Sequence, residues 1–336
     1  MTRGAGIRRR QLLEMAAATL GFATTGCLRD LVAQNARRID RYAAELDAIV
    51  STSEPIRELG SGYGVAGNPA EGPVWVAAAG YLLFNSMQRS QRLKYSPATG
   101  VTVAAENTQG ANGLTLDLQG RLISAERDTR RVTRTEADGR VTVVAATYQG
   151  KPLPPPNDVV VKSDGAIYFT APGSGLGPND APVGVYRVSP GLDAASLLAE
   201  GLIIPNGLAF SPDEDVLFVT DSGPRQVVAF DMLANGSRAN QPGRVFADLS
   251  GPEPGGTDGM KVDTLGNVYV GGAGGLYVLD PEGKKLGRIV HGLDHTTNVA
   301  FGGQDWKSLY FTTRSTLNVV NIKVPGTPVP PRRRLV

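Results

Sequence analysis

A polar residue opens each of six similar stretches along this chain, and that recurrence limits the fold more than any other feature. The openings are Glu71 in EGPVW, Asn112 in NGLTLD, Asn157 in NDVVVK, Asn206 in NGLAFS, Asp258 in DGMKVD and Asn298 in NVAFGG, spaced by 41, 45, 49, 52 and 40 residues. Each leads into a small or apolar run, a turn, and a second run rich in β-branched and aromatic residues: YLLFNS, RLISAE, AIYFTA, VLFVTD, NVYVGG and SLYFTT. Short runs bounded by Gly, Pro, Asn and Asp are the pattern of strands. A repeat of roughly 40–50 residues holding several strands is the pattern of propeller blades. The sequence therefore predicts an all-β fold, a six-bladed β-propeller over residues 56–325. A pair of β-sandwiches would not place one polar residue at every unit start. After Asn298 only three strands remain, at 298–302, 308–314 and 316–324, so the fourth should come from 56–63 and close the ring with both chain ends in one blade. The 42 Gly and 23 Pro among 336 residues supply the turns such a ring requires.

Residues 1–26 differ from this body. Arg8, Arg9 and Arg10 precede Gln11-Leu12-Leu13 and a small-residue apolar run to Phe22. The pattern resembles a twin-arginine export signal, and the run is too short to span a bilayer, which takes about 20 apolar residues. The single cysteine, Cys27, follows Thr24-Thr25-Gly26, as at a bacterial lipoprotein cleavage site, which leaves a lipid anchor at Cys27 open. These features predict an exported bacterial protein of the cell envelope, periplasmic or tethered to the membrane. Without residues 1–26 the chain has 30 basic and 31 acidic residues, so the formal +2 of the whole belongs to the signal. Residues 28–50 place Leu28, Leu31, Val32, Ile39, Tyr42, Leu46, Ile49 and Val50 at helical spacings. That predicts a short amphipathic helix within a tether over 27–55. Residues 326–336 form a C-terminal tail with a basic stretch, Arg332 to Arg334.

On the innermost strand of a blade, the opening residue points toward the central channel. Six Glu, Asp and Asn side chains there give a ring of oxygens with no imidazole or thiolate. Such a set suits a hard cation, Ca2+ first, with Mg2+ or Mn2+ also open, and the two carboxylates balance a 2+ charge. The plainer reading is that these residues cap strand starts and turns. One Cys excludes an intrachain disulfide and a cysteine-cluster metal site. Two His leave no His-rich zinc site, and the near-neutral charge gives no footprint for nucleic acid.

Taken in order, EGPVW at 71–75, PNDVVV at 156–161, PNGLAFSPD at 205–213 and DGMKVD at 258–263 resemble the gluconolactonase family, which includes regucalcin (senescence marker protein). TNVAFGG at 297–303 and RRVTR at 130–134 resemble bacterial members. The resemblance covers roughly residues 45–325. It implies a six-bladed lactonase with one catalytic divalent metal in the channel, usually calcium, with Mg2+, Mn2+ or Zn2+ as alternatives. It also implies that Glu71, Asn157, Asn206 and Asp258 are the metal ligands and that Asp258 is the catalytic carboxylate. Asn112 falls outside that set; with Asn298 and His295, which lies three residues before Asn298, it is a candidate for binding substrate. The implied reaction opens a sugar lactone or related ester, the metal polarising the carbonyl and Asp258 acting as base or nucleophile.

Two positions depart from the family. Members often read Glu-His after the second strand of blade two, where this chain has Glu126-Arg127. They often read Phe-Thr-Asp-Pro in blade three, where this chain has Phe169-Thr170-Ala171-Pro172 and then a Gly-rich loop from Gly173 to Pro178. The ligand set thus reads as intact and the substrate pocket as altered. Two other functions stay open at this point: a phosphotriesterase-like hydrolase using the same metal site, and a non-catalytic, calcium-stabilised binding propeller. Gly62 to Gly67 fits G-x-G-x-x-G, but Asn68-Pro69 and a strand follow where a dinucleotide site needs a helix. No G-x-S-x-G elbow occurs. Asp221, in VTDSG, reads as a residue that fixes a turn.

Overall fold

The computed structural model describes residues 37–173, 177–238, 242–253, 255–292 and 295–331. The expected export signal, Cys27 and Arg332 to Arg334 lie outside them. Among the described residues, six antiparallel sheets of four or five strands follow one another along the chain, with a small two-stranded ribbon of Thr147–Tyr148 and Lys151–Pro152 between the second and third. The first blade runs through Ala70–Val76, Tyr81–Ser86, Gln91–Ser96 and Gly100–Ala105. The second holds Ala111–Leu116, Leu122–Glu126, Arg131–Thr135 and Val141–Ala145. The third comprises Val159–Val161, Ile167–Ala171, Gly184–Val188 and Ser196–Ala199. The fourth has Pro205–Phe210, Val216–Asp221, Gln226–Asp231 and Arg244–Asp248. Met260–Val262, Val268–Gly272, Gly275–Leu279 and Lys285–Val290 make the fifth. Thr296–Gly302, Ser308–Thr313 and Thr316–Asn321 begin the sixth. Its outer strand is Arg57–Ser61, which pairs antiparallel with Thr316–Asn321. The ring therefore closes by joining its two ends, as the strand count required.

The apolar residues settle between neighbouring sheets. Blades two and three share a core of Ile123, Val132, Val159, Ile167 and Phe169. Blades three and four enclose Tyr168, Val185, Leu208 and Val219. Equivalent cores join four to five, five to six, six to one and one to two. Each sheet is thus buried on both faces, which explains second strands such as Ile167–Ala171 that are buried at every position. Continuous apolar runs are what two covered faces require.

The amphipathic helix expected over 28–50 is absent from its described part, 37–50. Arg38–Arg41 is a strand, the fifth of the fifth blade, with Ile39 opposite Ile289. A short 3-10 turn follows at Ala44–Ala48. Ile39, Leu46, Ile49 and Val50 are buried against blades five and six. The apolar spacing that suggests a helix also serves a strand and a tight turn. The unpaired edge of Lys285–Val290 offers backbone partners that an isolated helix lacks, and helix propensity is too weak a preference to resist. Asp40 seals the junction by accepting from Arg288 Nη2 at 3.1 Å.

At the opposite end of the channel from the openings, residues 325–331 cross the channel as a strap. The N–H of Gly326 donates to the Trp306 carbonyl at 2.9 Å, that of Thr327 to Val262 at 3.1 Å, and that of Thr264 to Pro325 at 2.9 Å. Val329, further along, packs on Val74, Leu83, Leu114 and Leu116 of blades one and two.

Candidate active site and metal centre

The opening residues reach the channel because their strands are irregular there. Register shifts interrupt the first-to-second-strand pairing between Glu71 and Val74, Ala111 and Leu114, Pro205 and Leu208, and Thr296 and Asn298. A bulge turns a side chain out of the regular alternation, and such features gather beside active sites. A glycine next to the polar residue makes room. A Cβ on Gly72 would lie 2.0 Å from the Asn112 carbonyl oxygen, and one on Gly207 would lie 2.4 Å from that of Asp258. Opening segments therefore touch from blade to blade, backbone against backbone.

Side chains from second strands hold these segments in register. Asn85 Nδ2 donates to the Asn112 carbonyl at 2.7 Å, Thr170 Oγ1 to that of Asn206 at 2.5 Å, and Thr220 Oγ1 to that of Asp258 at 3.0 Å. Thr297 Oγ1 donates to the Ala70 carbonyl at 2.6 Å, carrying the same link across the ring closure.

The result is a cavity of about 200 Å³ at this end of the channel, lined by Glu71, Asn112, Asn157, Asn206 and Asp258 together with Met87, Arg127, Pro155, Pro156 and Pro172. All four expected ligands and Asn112 meet there. The two other substrate-binding candidates are placed differently. His295 stands beside the cavity, its Nε2 2.9 Å from Asp258 Oδ2. Asn298 lies beneath it: its Nδ2 donates to Glu71 Oε2 at 3.3 Å and to Asp158 Oδ2 at 3.2 Å, while its Oδ1 accepts from the Val299 N–H at 2.8 Å. With its amide so committed, Asn298 supports the floor and does not line the cavity.

The side chains at this end of the channel are electrostatically unfavourable by themselves. Burial, reinforced by Asp258 and Asp158, pushes the Glu71 carboxyl well above the usual range. Burial also raises Asp258, against the opposing pull of its hydrogen bond to His295, and raises Asp158, against the charge of Lys261. Asn112 Oδ1 and Asn206 Oδ1 are buried and accept no hydrogen bond. Buried carbonyl oxygens without donors are uncommon, and carboxylates crowded in low dielectric repel. A hard cation relieves both faults, because it takes oxygens of either kind. The residues present therefore fit the ion that the resemblance implies. The described residues contain no group of three or more His, Cys, Asp and Glu placed for a metal, so amide oxygens are essential to any such site.

Asp158 went unnoticed in the sequence reading although it lies within PNDVVV. The available signal was its position: it stands where four of the other openings carry Gly. Arg127, visible as a departure, lines the mouth and is held by the Gly67 carbonyl at 3.2 Å and Asn68 Oδ1 at 2.5 Å. Asp221 does fix a loop, accepting from the Ile203 and Ile204 N–H groups at 2.9 and 2.8 Å. A larger cavity lies at the other end of the channel. The smaller one is the candidate active site because the carboxylates and orphaned oxygens converge on it.

The fold and this site define a class: six-bladed propellers with an oxygen-lined channel mouth. Comparison with known proteins gives the family. Residues 69–315 match the SMP-30/Gluconolactonase/LRE-like region, and the chain belongs to that family. It is 28% identical to a gluconolactonase of Zymomonas mobilis over 92% of each chain. It is 30% identical to a pentonolactonase of Haloferax volcanii over 72% of this chain and 80% of the relative. Among solved structures, a gluconolactonase from Xanthomonas campestris superposes with a TM-score of 0.75 at 31% identity, covering 85% of this chain and 95% of that one.

Proposed function

We propose that the protein hydrolyses a sugar lactone or a closely related ring ester in the mouth cavity, using one divalent cation, calcium first. The observation that carries this reading is the convergence of Glu71, Asn157, Asn206 and Asp258 on a single cavity. The named activities of the Zymomonas, Haloferax and Xanthomonas relatives support it. Glu71 and Asp258 would hold the ion through carboxylates, and Asn157 and Asn206 through amide oxygens. Bound there, the cation supplies Lewis-acid polarisation of a lactone carbonyl.

The rest falls to the chain's own side chains. Asp258 removes a proton from the attacking water. His295 hydrogen-bonds the Asp258 carboxylate, fixes its orientation and can pass the proton outward. Asn112 offers an unpaired carbonyl oxygen to a substrate hydroxyl. Pro155, Pro156, Pro172 and Met87 wall the cavity against bulk water, and Arg127 narrows its entrance. Export by the twin-arginine route, with an anchor on Cys27, belongs to the same proposal. Cys27→Ser is expected to move the protein from the membrane to the soluble periplasmic fraction.

The test is a lactone panel run on chelated protein and on protein resupplied with single metals. Turnover should vanish on chelation and return with calcium. Absence of turnover on every lactone would defeat the reading, and turnover that survives exhaustive chelation would remove the metal from it.

A further inference from the structure

The far end of the channel holds a cavity of about 650 Å³, more than three times the volume of the one at the mouth. Its walls come from the same first strands, several residues beyond the openings: Thr115, Val160, Phe210 and Lys261. Trp306 and the prolines of the strap complete it. The volume lies within the range of about 300–1,000 Å³ common to small-molecule sites, which are mostly apolar with a few polar groups to orient the ligand.

Lys261 supplies the orienting group. Strand alternation sends Met260 and Val262 into the core between blades four and five and leaves Lys261 facing the channel. Its Nζ donates to the Met260 carbonyl at 2.9 Å. Among the described residues it makes no ion pair within 4.0 Å; its electrostatic partner is Asp158, farther up the channel. The one carboxylate in the wall, Glu214, is already engaged. It accepts from the Ser163 N–H at 2.7 Å and from Ser163 Oγ at 2.5 Å, and Lys162 Nζ is 3.4 Å away. The cavity thus presents aliphatic, aromatic and proline surface around a single ammonium whose hydrogen-bonding capacity is mostly unused.

We propose that this far-end cavity is a binding site for an amphipathic organic anion, an apolar body carrying one carboxylate that pairs with Lys261. The site is separate from the mouth cavity: none of the residues lining it is shared with the candidate active site. The strap is built for the role. Its three backbone hydrogen bonds fix it to blades five and six, and a Cβ on Gly326 would lie 1.9 Å from Phe301 Cγ, so only glycine lets it seat that closely. An ordered strap gives the cavity a preformed wall, which lowers the ordering cost of binding.

The experiment uses the full-length protein carrying Trp75→Phe. The chain has two tryptophans, so Trp306 in the cavity wall becomes the only fluorophore of its kind. Sodium decanoate, below its micelle concentration, should change Trp306 emission saturably. Octanoate should bind roughly tenfold more weakly, since two methylenes are worth about 0.8 kcal/mol each. Lys261→Met should weaken decanoate at least tenfold and leave decanol binding unchanged. A cooperative thermal melt serves as the check that Lys261→Met is folded. No saturable response to decanoate would overturn the proposal, and so would equal decanoate affinity in wild-type and Lys261→Met proteins that both melt cooperatively. Competition between decanoate and a lactone for the mouth would also overturn it, by placing the binding at the other end.

Discussion

Asp258 combines demands that usually fall on different residues. It faces the cavity, it is largely screened from solvent, and it shares the channel with Glu71 and Asp158, so its charge costs free energy unless something opposes it. His295 opposes it in part, and a cation would oppose it more. Asp258→Asn keeps the size and a hydrogen-bonding oxygen but removes the base. Turnover should fall by roughly 10²–10⁴, the usual worth of a general base, with the circular dichroism spectrum unchanged. The same crowding sets a pH dependence for the ion-free protein. Glu71, Asp158 and Asp258 all bind their protons more tightly folded than unfolded. Their contribution to stability is present at low pH and is lost as pH rises above the ordinary carboxylate range toward the raised folded values. Chelated protein should therefore melt lower at pH 7 than at pH 5, and Glu71→Gln should flatten that slope. Saturating calcium should raise the wild-type melting temperature at pH 7 by more than it raises that of Glu71→Gln. A slope of the opposite sign in chelated wild type would show that these three carboxyls are not the dominant titrating groups.

At the level of the element, the strand pattern was legible because two physical signals coincide: turn residues at blade corners and apolar runs buried on both faces. The polar openings were legible as a set and not as individuals. Nothing local distinguishes Asn298, whose amide is spent on Glu71 and Asp158, from Asn206, whose oxygen is left without a donor. That difference arises from bulges and neighbouring blades, which no single stretch of sequence encodes. In its described part, 37–50, the expected helix failed for a related reason, since the edge that captured Ile39 lies some 250 residues downstream. The glycines beside the openings carry more information than their usual association with turns. Gly207 has no room for a Cβ because the Asp258 carbonyl occupies that space. Gly207→Ala should therefore cost at least the ~1–3 kcal/mol typical of overpacking and weaken calcium binding, because it displaces the backbone of a proposed ligand. Gly256→Ala is the control, as the nearest atom to its Cβ would be 3.9 Å away. Equal melting temperatures for the two variants, read by calorimetry, would show that blade-to-blade contact at the openings is slack.

For the whole molecule, the decisive contact is the pairing of Arg57–Ser61 with Thr316–Asn321, since a ring of six sheets has two free edges until its ends meet. The segment before that strand plays a lesser part. Ile39, Leu46, Ile49 and Val50 are buried on blades five and six, but that gain is set against the backbone entropy lost in ordering the segment, and the ring does not depend on it for closure. A chain begun at Ser51 should accordingly fold, bind calcium and melt a few degrees below the parent. A chain begun at Gly62 lacks the closing strand and leaves Leu317 and Val319, buried between blades six and one, beside an open edge. It should lose the cooperative thermal transition and its calcium site together, because Glu71 and Asp258 converge only in the closed ring. Calorimetry with calcium titration on the two truncations decides the matter. A cooperative melt in the chain begun at Gly62 would mean that packing between blades, and not the joined ends, holds the channel residues in place.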